Sequence, residues 1–90
     1  MKTANFSLKN IFEEIPIEER EETRLSFAIS DRLDFLMSKN NLSKKQLADA
    51  IGKRPSEVTR WLSGEHNFTL STIAKLSTFF GEPIITVEKA

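Results

Sequence analysis

The chain has no cysteine and no tyrosine, a single histidine and a single tryptophan, and only three glycines and three prolines in 90 residues. Without cysteine there is no disulfide framework, no thiolate chemistry and no cysteine-based zinc site. One histidine, His66, with no carboxylate pair near it in sequence, cannot assemble a metal centre or a catalytic triad. Three scattered glycines cannot build a phosphate-cradling loop. No apolar run approaches membrane-spanning length, and the opening MKTANFSLKN lacks the continuous apolar segment of a signal peptide, so the cytoplasm is the expected compartment. Net charge is also missing, with 13 basic residues against 13 acidic ones. The glutamates between Glu13 and Glu22 read as a solvated helix start rather than as paired acid-base carboxylates. These absences point away from an enzyme, a cofactor, a metal or a membrane.

What is present, 39% hydrophobic and 29% charged residues, suits one small soluble domain with a modest helical core. The zero net charge hides an uneven distribution. Residues 1–24 carry four basic and six acidic side chains, whereas residues 39–66 carry six basic ones (Lys39, Lys44, Lys45, Lys53, Arg54, Arg60) and three acidic ones. The positive excess therefore lies in the middle of the chain, where a polyanion would be met.

Along the chain, Ser7 caps a short amphipathic helix expected around Leu8–Glu14, which Pro16 breaks. From Ile17 to about Asn40 nothing interrupts a helix, and Glu18, Glu19, Glu21 and Glu22 crowd its first turns, where the helix dipole favours negative charge. Leu25, Ala28, Ile29, Leu33, Leu36 and Met37 are its expected core stripe. Phe27 falls on the opposite side and needs a cover, either Phe6, Ile11 and Phe12 or a second subunit.

The stretch Ser43–Gly64, SKKQLADAIGKRPSEVTRWLSG, reads as helix, tight turn, helix. Ser43 and Gln46 have the spacing of a capping box. Leu47, Ala48 and Ile51 share a face, and Gly52 sits where a left-handed residue ends a helix. Pro55 suits the first turn of the second helix. Val58, Trp61 and Leu62 form its apolar side, which assigns Trp61 to the core, Gly64 is placed to cap its end, and Ser56, Glu57, Thr59 and Arg60 face outward. Glu65–Phe68 is a loop holding His66. Thr69 or Ser71 caps a last helix whose buried face is Leu70, Ile73, Leu76 and Phe80, stopped by Gly81 and Pro83. Ile84–Val87 is a short β-branched run that either pairs as a strand with a second copy or packs on the core as an extended tail.

Leu42, Ser43, Leu47, Ala48, Gly52, Ser56, Val58, Thr59, Arg60 and Gly64, continued by LSTIAKLSTFFG, resemble the lambda-repressor-like (XRE-type) helix-turn-helix regulators over about residues 25–81. Lys44 stands where that family usually has glutamine, and Pro55 occupies an often polar position. The resemblance implies an all-α helix-turn-helix bundle over residues 17–83, to which the residues themselves add an N-terminal arm with a short helix (1–16) and a C-terminal extended segment (84–90) holding a short strand. It implies a homodimer on double-stranded DNA, with the Pro55–Ser63 helix in the major groove and the Ser43 helix across the backbone. Arg54, Ser56, Glu57 and Arg60 are then the candidates for base edges, and Ser43, Lys44, Lys53 and Ser63 for phosphates. A second expectation is an antitoxin, which neutralises a small toxin protein through its N-terminal segment and represses its own promoter.

Overall fold

In a computed structural model, which describes residues 15–88, all regular structure is helical. Among these residues four helices follow one another: α1 (Ile17–Lys39), α2 (Lys44–Ile51), α3 (Pro55–Trp61) and α4 (Leu70–Phe80). Pro16 stands immediately before α1, with Glu18 and Glu19 in its first turn. The expected arm helix at Leu8–Glu14 and its phenylalanines lie outside the described residues.

Two asparagines end α1. The Asn40 amide donates to the Leu36 carbonyl at 2.7 Å, and Asn41 takes a left-handed φ of 54°, which its short polar side chain tolerates better than most. The chain then turns into Ser43, whose hydroxyl accepts from the Gln46 amide at 3.1 Å while the Gln46 side chain accepts from the Ser43 amide at 2.8 Å. At the start of α4 the Thr69 hydroxyl likewise accepts from the Thr72 amide.

Each helix contributes at least one fully buried aliphatic side chain: Leu33 and Leu36, Leu47, Val58, and Leu76. Ile29, Met37, Ala48, Trp61 and Ile84 complete the core, with Ile51, Leu62, Phe68, Ile73 and Phe80 packed against it. At about 1.5–3 kcal/mol for each large aliphatic burial, this shared cluster, not any helix alone, holds the short α2 and α3 in place.

Three expectations are corrected. Leu25 and Ala28 are exposed, because the buried face of α1 runs through Ser26, Ile29, Ser30 and Leu33. Helix α1 is about 34 Å long at 1.5 Å per residue, and none of its first nine residues is buried. Leu70 is 81% exposed because it opens α4 at the rim, ahead of Ile73 and Leu76. The expected C-terminal strand is absent among the described residues. Ile84 is 4% exposed in the core, and its amide donates to the Ser77 hydroxyl at 3.0 Å. Arg32 donates to the Pro83 carbonyl at 3.0 Å, and Glu82 pairs with both Arg32 and Lys39. Core contact and a side-chain partner thus anchor Ile84, while Ile85 and Val87 beyond it stay exposed.

Candidate nucleic-acid interface

Helices α2 and α3 pack on each other through a turn that Gly52 makes at φ 72°. The Lys53 amide donates back to the Ala48 carbonyl at 2.8 Å and closes α2. Pro55 opens α3, where its missing amide costs nothing. The Arg54 amide just before it donates to the Glu57 carboxylate at 3.1 Å, which satisfies one of the donors that a helix start leaves open.

Helix α3 has two unlike faces. Val58 is fully buried and Trp61 is 4% exposed, so one side is fixed in the core. Ser56, Thr59 and Arg60 are exposed on the other, and their i, i+3 and i+4 spacing puts them side by side. The far end is held by α1. The buried Ser30 hydroxyl donates to the Trp61 carbonyl at 2.6 Å and accepts from the Gly64 amide at 3.1 Å. Gly64 has φ 86°, and a Cβ there would overlap the Phe27 ring. Phe27 is thus partly covered from within the fold, although it stays 49% exposed.

The outward residues differ in how free they are. Glu57 is half-buried and tied to the Arg54 amide, so reaching a base would cost that hydrogen bond. Ser63 is committed twice, donating to the Arg60 carbonyl at 2.7 Å and accepting from the Glu65 amide at 3.1 Å. Ser43 uses its oxygen in the cap of α2, which leaves its proton available to an acceptor. Lys44 and Arg54 are exposed and Lys53 is half-buried. None of Lys44, Lys53, Arg54 and Arg60 is in an ion pair among the described residues, whereas Arg24, Arg32, Lys39 and Lys45 are all paired.

Sequence reasoning did not anticipate that His66 lies within the electrostatic reach of Arg60. Its imidazole is pushed below the ordinary 6.5, first by partial burial and then by the Arg60 charge, and it stands edge-on to Phe68 with ring centroids 4.8 Å apart. The path of the loop decides this proximity, and no local pattern announces it. Among the described residues no group of three His, Asp or Glu side chains could hold a metal ion, and no helix is long and apolar enough to cross a membrane.

Residues 35–86, more than half of the chain, match the family model described as Helix-turn-helix. Searches of curated proteins and of solved structures returned no match.

Proposed function

Because the chain belongs to the lambda-repressor-like (XRE-type) helix-turn-helix family, we propose that it is a sequence-specific repressor that binds double-stranded DNA as a homodimer. Family membership carries DNA binding of the transcription-regulator kind; repression, the dimer and the contact residues are our reading. The observation that carries it is a helix fixed on one side in the core while Ser56, Thr59 and Arg60 face solvent, with unpaired cations on the elements around it. In this reading α3 enters the major groove and α2 crosses the backbone. Arg60, Ser56 and Arg54 meet base edges, with Glu57 joining only by giving up its cap, and Lys44, Lys53 and Ser43 meet phosphates, with Ser63 joining only by withdrawing its proton from the Arg60 carbonyl.

The dimer contact is assigned to the outer face of α4. Phe79 is 39% exposed there, in a shallow groove that Ala50, Ala74 and Thr78 line with small side chains. Selection of bound sequences from a random DNA pool tests the whole. A twofold motif with half-sites roughly 10–10.5 base pairs apart is expected; no enrichment, together with affinity insensitive to salt, would overturn it.

A second reading adds the role of an antitoxin. It is favoured by the apolar side chains Ile17, Leu25 and Ile85, which remain exposed on the first half of α1 and the tail, on surface that the DNA-reading helix does not use. Co-purification with a basic protein encoded in the adjacent reading frame supports it, and its absence leaves the plain regulator.

A further inference from the structure

A long groove runs along the first half of α1. It holds about 580 Å³, with Ile17, Leu25 and Ile29 along α1 and Phe68, Ile73 and Ile85 facing them. Ile17 is 72% exposed, Leu25 42% and Ile85 38%. Apolar exposure gathered in one place, unlike scattered single residues, marks an interaction surface. Ile17 and Ile29 lie about 18 Å apart along one helix, roughly three turns. That reach suits anchors spaced i, i+3 or i+4, and i+7 on a docked helix better than it suits a compact ligand.

The rim decides which occupant fits. Glu18, Glu21 and Glu22 stand along it, and among the described residues only Glu21 is in an ion pair, with Arg24 of the same helix. A twofold contact through this face would set two acidic rims against each other, whereas lysine or arginine flanking an apolar helix would be drawn to it. We propose that the groove docks an amphipathic helix of a partner protein, with leucine-like anchors flanked by basic side chains. This deepens the antitoxin reading and rests on it only in requiring a protein partner.

The test uses the full chain without DNA, so its outcome is independent of DNA recognition. Two synthetic helical peptides of roughly 14 residues share one leucine spacing, and their polar faces carry lysine in one and glutamate in the other. Binding is followed by fluorescence anisotropy. The lysine peptide should bind at least about tenfold more tightly than the glutamate peptide, and Glu18→Gln with Glu22→Gln should weaken it about fivefold. Leu25→Asp separates docking from plain charge attraction. It makes the rim more acidic yet should abolish binding, with the far-ultraviolet spectrum and melting temperature showing that the fold is retained. Equal binding of both peptides, no binding of the lysine peptide at about 1 mM, or a Leu25→Asp chain that binds as well as wild type would each overturn the proposal. So would a wild-type dimer that Leu25→Asp turns into a monomer, since the occupant would then be a second copy.

Discussion

Ser30→Ala tests how the recognition helix is held. The hydroxyl is 3% exposed and serves two elements at once, donating to the Trp61 carbonyl at 2.6 Å and accepting from the Gly64 amide at 3.1 Å. Removing it leaves two buried backbone groups unpaired, each costing about 1–3 kcal/mol. Alanine recovers about 0.5 kcal/mol through its better helix propensity. A net loss of about 1.5–5.5 kcal/mol follows, a large share of the 5–15 kcal/mol typical of a whole domain. Urea denaturation should show a lower midpoint at an unchanged slope. Ser26→Ala is the internal control, because Ser26 is nearly as buried but its hydroxyl makes no hydrogen bond among the described residues, so that variant should be neutral or slightly stabilised. At a temperature where Ser30→Ala is folded, its preference for specific over random DNA should narrow while its affinity for random DNA holds, since the untethered end of α3 affects reading more than phosphate attraction. A Ser30→Ala chain within about 0.5 kcal/mol of wild type, or a Ser26→Ala chain that loses as much, would refute the reasoning.

Gly64→Ala should destabilise clearly more than Gly52→Ala. Both meet the left-handed penalty of about 1–2 kcal/mol, but only at Gly64 does the new methyl run into another side chain, that of Phe27; equal melting temperatures would contradict this. The pKa of His66 is lowered in the folded state, so the unfolded chain takes up the proton more readily. Stability should therefore be full above about pH 6.5 and fall as the pH drops through the folded value, and a melting-temperature profile that His66→Gln leaves unaltered would rule this out. Arg60→Ala should cost about 1–3 kcal/mol on the selected site and relax preference mainly at one base pair per half-site. An unchanged selected motif would make Arg60 a backbone clamp and move reading to Arg54 and Ser56.

Local signals carried most of the fold. The Ser43 and Gln46 spacing, Gly52, Pro55 and Gly81 all mark helix ends through backbone chemistry that acts within a few residues, and the observed ends follow them. Helix α1 is where periodicity misled. Counting apolar residues drew the stripe through Leu25 and Ala28, while the buried face passes through two serines that a hydrophobicity pattern discards. The 26-30-33-37 spacing of small and large residues was the available clue. The tail was legible only as two alternatives, because Ile84 is anchored by Ser77 and the core, partners that sequence cannot place. In the interface, the outward direction of Arg60 followed from Val58 and Trp61. The role of Glu57 in the cap was written in its distance of three residues from Arg54, which places a carboxylate where α3 starts.

Net charge was the weakest guide to the polyanion reading, and ion pairing explains why. Arg32 and Lys39 both converge on Glu82, Lys45 on Asp49 and Arg24 on Glu21, so much of the positive charge is answered within the chain. Lys44, Lys53 and Arg54 are not, and they surround α2 and the entry to α3. If Lys44 and Lys53 each meet one phosphate in each of two subunits, four counterion-releasing contacts give a slope of log K against log salt of about −3.6. Lys44→Ala should lower its magnitude by about 0.9 for each subunit and weaken specific and random DNA alike. Arg32→Ala should leave the slope where it was, because that guanidinium already has a carboxylate. A slope near −10, or one that Arg32→Ala reduces as much as Lys44→Ala does, would mean that the internal pairs open on DNA, and the separation of paired from unpaired cations would fail as a description of the binding face.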